Sequence, residues 1–245
     1  MPPKRTGQSG NILFIILIAI VLLGGLTAAM MSGNNGEGAN IDDEQLSIRI
    51  SEVQRYAGEL ERAVRFIIQN GVSESDIRFA HINAPSAYGD LSADGDKSDQ
   101  VFAREGGGAA YRVPPSDISN GDHWEFYGGT ATPSTGSDRA ELVAVLPDVT
   151  RQFCDVINEK FGQPATIPND TGSGAASGSD PGDCVYQGTT GRFGDAQQFY
   201  DTPNTMDETT FTQDPNTSAA ATALQACVKC ARDDKYYFYT VIMAR

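Results

Sequence analysis

The four cysteines are the residues of this chain with the most clearly defined chemistry: Cys154, Cys184, Cys227 and Cys230. An even number of cysteines behind a long apolar N-terminal segment predicts two disulfides, because disulfides persist outside the reducing cytosol. Only Cys227 and Cys230 form a close C-x-x-C pair, and His81 and His123 lie far away, which disfavours a zinc site. A thioredoxin-like motif is disfavoured as well, since it opens a helix whereas "ALQACVKCARDD" resembles the end of one.

The connectivity of the disulfides is open at the level of sequence, because four cysteines allow three pairings. Cys154–Cys184 is the favoured first pair, since it closes a glycine-rich loop. Cys227 and Cys230 would then pair with each other.

Catalytic motifs are absent from the sequence: it contains no G-x-S-x-G, no H-E-x-x-H and no phosphate-binding G-x-x-x-x-G-K. His123 and Trp124 are adjacent, but strand alternation places Trp124 in the core and His123 on the other side. An enzyme would need a polar pocket around His81, Asp122 or His123. The sequence therefore predicts no catalytic residues, no cofactor and no enzymatic activity.

An acidic loop, "DLSADGDKSDQVFARE", raises the possibility of a calcium site, since alternating oxygen ligands are what calcium needs. The EF-hand register that starts at Asp94 has Asp99 where glycine is required. The register that starts at Asp90 has Gly95 there but Val101 in place of the bidentate acid. A solvated acidic loop is the favoured interpretation, a non-helical calcium site is the alternative, and no metal ligand is assigned.

The charge of the chain excludes two classes of partner. It has 18 basic and 32 acidic residues, a formal net charge of −14. Nucleic acids and anionic lipid surfaces require basic patches, so neither is an expected partner. The abundance of Gly, Ser, Thr, Asp and Asn is typical of an exported, loop-rich domain of mixed α and β structure.

Residues 12–31 form an almost entirely apolar run near the N-terminus. At 1.5 Å per residue such a helix spans roughly 30 Å, the thickness of the hydrocarbon core of a bilayer. Lys4 and Arg5 precede the run and acidic residues follow it, so the positive-inside rule predicts a cytoplasmic N-terminus and an exported remainder. The polar residues 32–40 are predicted to form a flexible linker.

Residues 41–70 predict an amphipathic helix, because apolar residues recur at alternating spacings of four and three. They are Leu46, Ile50, Val53, Ala57, Leu60, Val64 and Ile67. Gly71 suits the position after the helix. Ile48 and Phe66 widen the apolar face, which favours packing on a sheet of the same chain over a coiled coil.

The remaining residues predict further strands and helices. Strands are expected over 123–129, 140–146 and 235–245, where aromatic and β-branched residues concentrate. A second helix is expected with Asp148 as its N-cap, and a third over 218–230. The elements together predict an α+β domain.

The N-terminal stretch "KRTGQSGNILFIILIAIVLLGG" resembles the start of type IV pilin-like and pseudopilin subunits. In that family a prepilin peptidase cuts a short basic leader after a glycine, and the new N-terminus is methylated. The resemblance implies that Gly10 precedes the cut and that Asn11 becomes the mature N-terminus. Two residues depart from the family: Asn11 replaces an aromatic residue or Met, and Ile15 replaces the glutamate at the fifth mature position.

Two further stretches, "WEFYGG…ELVAVLPDVTRQFCDVIN" and "ACVKC…YYFYTVIMAR", resemble a bacterial group of exported pilin-like proteins. The implied fold has an N-terminal transmembrane helix, an amphipathic helix and an antiparallel β-sheet with additional helices. The implied domains are a leader over 1–10, a transmembrane or assembly helix over 11–31, the linker over 32–40, and an exported domain over 41–245 with a loop-rich α+β part over 71–245.

The resemblance implies a structural role, as a subunit of a type IV pilus or of a type II secretion-like filament. The expected partners are other pilin-like subunits through the N-terminal helix, the prepilin peptidase and the inner membrane. The expected location is the inner membrane, crossed once, with the C-terminal domain in the periplasm or in a cell-surface filament.

A conventional export signal is the competing interpretation of the same N-terminus. The basic residues, the apolar run over 12–23 and "LTAA" could form a signal peptide cut after Ala29. The function would then be that of an exported periplasmic binding module, using the loops around Trp124 and the acidic segment.

Overall fold

The computed structural model describes residues 16, 18, 20, 44–133, 135, 139–163, 166–171, 184–188, 192–194, 204–206, 211 and 224–245. The chain divides into two units, residues 1–48 and 49–245, which are described separately. In the first unit the described residues are helical, and Ile16, Ile18 and Ile20 are exposed.

The predicted leader and linker lie outside the described residues, as does most of the predicted assembly helix over 11–31. Among the residues that are described, no helix combines the length and the apolar composition needed to cross a membrane.

Helix α1 is described over residues 44–69, where the sequence predicts a helix over 41–70. In the second unit its inward residues, spaced by three or four, are at most 2 % exposed: Ile50, Val53, Ala57, Leu60, Val64 and Ile67. Gly71 follows the helix with a φ of 91°, a left-handed conformation that favours glycine.

The second unit contains a mixed sheet of six described strands. They are β1 Glu125–Ala131, β2 Glu141–Leu146, β3 Asn169–Asp170, β4 Asn204–Thr205, β5 Gln225–Cys230 and β6 Tyr236–Met243. The order across the sheet is β3-β5-β6-β2-β1-β4. The four central strands pair antiparallel, whereas β3 and β4 pair in parallel with β5 and β1.

One face of the sheet is covered by helices α1 and α2, the latter spanning Arg151–Lys160. Phe238 of β6 meets Phe153 of α2 and Trp124 edge to face, with ring centroids 5.8 and 6.3 Å apart. Trp124 in turn meets Tyr56 of α1 at 5.3 Å. Such aromatic pairs add to the free energy of burial, so they fix the helices on this face.

The described residues that cover the opposite face lie outside the long helices and strands. Tyr127, Tyr237 and Tyr239 of the sheet pack there against Cys184, Val185, Met206 and Phe211. Because both faces are covered, all six residues of β2 are buried.

Helix α2 begins two residues later than its predicted N-cap suggests. The hydroxyl of Thr150 accepts a hydrogen bond from the backbone N–H of Phe153 and is the N-cap. Asp148 has a φ of 49°, and its carboxylate accepts a hydrogen bond from Lys235 Nζ at 2.9 Å. The predicted N-cap is wrong because another side chain holds this carboxylate.

The prediction of a third helix over 218–230 is wrong for its described residues, since Gln225–Cys230 form strand β5. Ala226, Val228 and Cys230 alternate onto one face of the sheet, where they join the core. Burial of this alternating set against the sheet outweighs the helix propensity of the alanines.

The predicted pilin-like fold is wrong. The sheet is mixed rather than antiparallel, because β3 and β4 return from the long segment between α2 and β5 and pair in parallel at the edges. Among the described residues, α1 and α2 are accompanied only by short 3₁₀ helices at Glu74–Asp76 and Ser86–Tyr88, and none of them could span a membrane.

Both disulfides are present, but the favoured pairing is wrong: the bonds join Cys154 to Cys227 and Cys184 to Cys230. Cys227 and Cys230 are three residues apart on β5 and so point to opposite faces, roughly 10 Å apart along the strand. Their Cα atoms are therefore too far apart for a disulfide. Cys227 reaches α2 on one face, and Cys230 reaches the 184–188 segment on the other.

Glu141, the first residue of β2, is a completely buried carboxyl. It accepts hydrogen bonds from the backbone N–H of Thr132 at 2.8 Å and from the Thr135 hydroxyl at 3.2 Å. Burial raises its pKa from 4.5 to about 7, because two hydrogen bonds do not replace the lost hydration of the charged form.

The Glu141 carboxyl should make the folded state less stable as the pH rises from 4.5 to 7. In this window the folded protein retains a proton that the unfolded chain releases, so the free energy of unfolding falls by up to about 1.4 kcal/mol per pH unit. We expect Glu141→Gln to flatten this slope in urea denaturation at a series of pH values. The exposed Glu159→Gln variant is the control, and an unchanged slope in Glu141→Gln would contradict the assignment.

Candidate functional site

A cleft of about 510 Å³ lies at the end of the sheet where strands β1 and β6 begin and strands β2 and β5 end. Its lining comes from four separate parts of the chain: the approach to β1, the segment after β2, the 184–188 segment and the β5–β6 turn. The lining residues are Asn120, Gly121, Asp122, His123, Glu125, Pro147, Asp148, Tyr186, Asp233, Lys235 and Tyr237.

Backbone hydrogen bonds join three of these parts. The N–H of Asn120 donates to the carbonyl of Asp148 at 2.9 Å, and the N–H of Val149 donates to the carbonyl of Tyr236 at 3.0 Å. The Ser119 hydroxyl donates to the carbonyl of Pro147 at 2.6 Å. Hydrogen bonds to backbone carbonyls thus hold the walls of the cleft in place.

Close approach and unusual backbone conformations shape the cleft. A Cβ at Gly121 would lie 2.8 Å from the Pro147 carbonyl oxygen, so this wall requires glycine. Among the described residues, only Asp148 and Asp234 combine a side chain with a positive φ, 49° and 63°. Asp148 lines the cleft, and Asp234 lies between two residues that do. Such conformations cluster where the surroundings enforce a specific geometry.

Glu125 forms the innermost charged group of the cleft and is 5 % exposed. Arg192 donates two hydrogen bonds to its carboxylate, at 2.8 and 2.6 Å, and the Tyr88 hydroxyl donates a third at 2.6 Å. Burial opposes the charge of Arg192, but the hydrogen bonds that it donates to Glu125 raise its pKa overall. The negative charge of Glu125 is therefore neutralised locally.

Two tyrosines form the aromatic wall of the cleft. The rings of Tyr186 and Tyr237 are stacked, with centroids 4.9 Å apart and planes 10° apart. The Tyr237 hydroxyl donates a short hydrogen bond to Asp233. Burial, and then this hydrogen bond, raise the pKa of Tyr237, so both phenols remain neutral at physiological pH. The half-buried Tyr186 brings an aromatic surface to the cleft.

The cleft carries an excess of negative charge. Lys235 pairs with Asp148 at 2.9 Å, and Arg192 pairs with Glu125. Asp122 and Asp233 also line the cleft, which brings the number of carboxylates to four. Two cations face these four carboxylates, so the cleft has an excess of two negative charges. Low-dielectric walls around like charges concentrate their field in the cleft.

Only some of the candidate site residues from the sequence lie together in the structure. Asp122 and His123 line the cleft, whereas Trp124 points to the opposite face and packs in the core. His81 does not line the cleft; its ring stacks on Tyr111 at 4.4 Å. The Tyr111 hydroxyl also lies 3.3 Å from His123 Nδ1, so both histidines of the chain contact this tyrosine.

The acidic loop gains no support as a calcium site. Asp90 and Asp96 accept hydrogen bonds from the backbone two residues later, and Asp94 accepts one from the Gln100 side chain at 2.6 Å. In the part of the chain that the structure describes, no group of three or more His, Cys, Asp or Glu side chains is arranged to hold a metal ion.

Gly10 and Asn11, the predicted processing residues, lie outside the described part of the chain, as does Ile15. Comparisons with protein-family models, curated proteins and solved structures find no match to this chain.

Tyr186, Asp233, Lys235 and Tyr237 are cleft residues that the sequence did not reveal. The one local signal is "DDKYY", which places acids, a lysine and two tyrosines around a hairpin turn. Tyr186 lacks any such signal, because a disulfide between distant cysteines brings its segment to the sheet.

Removing only one partner of the Glu125–Arg192 pair should lower the free energy of unfolding strongly. Arg192→Met leaves the Glu125 carboxylate buried without its cation, and we expect a loss of about 3–5 kcal/mol in the free energy of unfolding. The double variant Glu125→Gln/Arg192→Met buries no charge and should recover most of this loss in urea denaturation. A single variant within about 1 kcal/mol of the wild type would contradict a tightly coupled pair.

Proposed function

We propose that this chain is an exported, disulfide-stabilised binding module whose ligand occupies the cleft at the end of the sheet where β1 and β6 begin. The observation that carries the proposal is the cleft itself, a cavity of about 510 Å³ with aromatic and charged walls. Ligand sites of proteins are concave, largely preformed and lined by a mixture of aromatic and specifically placed polar groups.

Two features support export. Both disulfides join residues distant in sequence, 73 and 46 positions apart, and such bonds persist in oxidising compartments. The basic and apolar N-terminus is typical of a segment that directs a chain into or across a membrane.

Binding is proposed rather than catalysis, because the lining residues include no serine, threonine or cysteine that could act as a nucleophile. Three of the four carboxylates are already engaged: Glu125 by Arg192, Asp148 by Lys235 and Asp233 by Tyr237. These pairs serve to fix the shape and the charge of the cleft.

The cleft is tested by blocking it. Asn120 is exposed and lines the cleft, so Asn120→Trp should occupy it without disturbing the core. We expect saturable binding from a library of small organic cations, anions and neutral sugars by saturation-transfer NMR with the wild type, and its loss in Asn120→Trp. Gln69→Trp, on an exposed position of α1 outside the lining, is the matched control. Absence of binding, or binding that survives Asn120→Trp, would refute the proposal.

A second candidate function, assembly into a pilus or secretion filament, is favoured by the leader-like N-terminus alone. It would use the predicted helix over 11–31 to contact other subunits, and it does not depend on a pilin-like fold of the exported domain.

The mature N-terminus separates the two routes of export. Mass spectrometry of the protein from its native cells should find a chain that begins at a methylated Asn11 if a prepilin peptidase removes the leader after Gly10. A chain that begins at Met30 would instead show a conventional signal peptide and would exclude the assembly function. An intact Met1 would also count against leader removal.

A further inference from the structure

We infer that the cleft binds an organic amine as its alkylammonium cation, and that Lys235 is a built-in competitor for the same position. This inference rests on the proposed binding function and names the chemical class of the ligand. It starts from the one ammonium group that the cleft already contains.

Lys235 shows which chemistry the cleft accepts. Its Nζ donates to Asp148 Oδ2 at 2.9 Å. The hydrogen bond to Asp148, and then the charges of Asp148 and Asp233, raise the pKa of Lys235 above its ordinary value. The cleft therefore already holds one ammonium group on a carboxylate, the type of charged hydrogen bond that proteins use for amine ligands.

The cleft can accept more positive charge than the Lys235 ammonium supplies. Its side chain is half exposed, so the ion pair with Asp148 is weak and open to exchange. After Lys235 and Arg192 are counted, two negative charges remain in excess, so a diammonium ligand can replace Lys235 at Asp148 and still meet a second carboxylate. A cavity of about 510 Å³ is large enough for a short alkyl chain between two ammonium groups.

An incoming amine would exchange with Lys235 at Asp148 while its alkyl chain covers Tyr186. No group on β1 would need to move, since Glu125 remains bound to Arg192 and Tyr88. The Lys235 side chain would swing into solvent, which its exposure permits. Lys235 thus lowers the affinity for every cation and selects ligands that bring a second ammonium group.

The experiment compares three isosteric probes, 1,4-diaminobutane, 1,4-butanediol and succinate, by isothermal titration calorimetry on the full chain at low salt. We expect binding of 1,4-diaminobutane alone, weakened at high ionic strength because the attraction is electrostatic. Lys235→Met keeps the aliphatic stem and removes the competing charge, so it should bind 1,4-diaminobutane about tenfold more tightly.

Lys229→Met is the matched control, because Lys229 pairs with Asp234 in the same hairpin but does not line the cleft. It should bind as the wild type does. Equal or weaker binding in Lys235→Met would refute the role of Lys235. Preference for succinate or butanediol, or a cleft ligand from the NMR library that is not a cation, would refute the ligand class and leave the binding function intact. Absence of any ligand in both experiments would refute the binding function as well.

Discussion

Strand β5 is bonded covalently to both layers that cover the sheet, and the rest of the second unit depends on this arrangement. Cys227 ties it to helix α2 on one face, and Cys230 ties it to the segment around Cys184 on the other. The described residues of the second layer have irregular backbone, which loses much conformational entropy on ordering. Closing these long loops in the unfolded chain removes part of that entropy and so favours the folded state.

The same constraint positions the cleft. Tyr186 is two residues from Cys184, and the β5–β6 turn with Asp233 and Lys235 begins directly after Cys230. One disulfide therefore fixes two of the four segments that line the cavity, and backbone hydrogen bonds from 118–121 and 147–150 fix the others. The arrangement explains how a cleft made from loops can be rigid enough to hold charged groups in a defined geometry.

Sequence patterns predicted the elements whose burial is simple. Strands β1, β2 and β6 and helix α2 each have a continuous apolar face, and periodicity predicts such elements well. Strand β5 was predicted as a helix because the alanine-rich sequence that leads into it masks an alternation that only the sheet makes visible. The disulfide pairing was predicted wrongly for another reason, since the glycine-rich loop between Cys154 and Cys184 favoured a bond that closes it. Edge strands β3 and β4 are two residues long and have no periodicity to detect. The cleft could not be predicted for a different reason. Asp122 and Tyr186 are far apart in the chain, and only the topology of the sheet brings them together.

The two-residue edge strands also bear on how the folded protein behaves at high concentration. A long, exposed outer strand presents a row of unpaired N–H and C=O groups that can recruit another chain into amyloid-like stacks. Here β3 shields Lys229 and Cys230 of β5, while β4 and the bridge from Arg192 to Tyr127 shield β1. Each shield is too short to act as a template itself. These paired backbone positions are therefore not open to pairing with another chain.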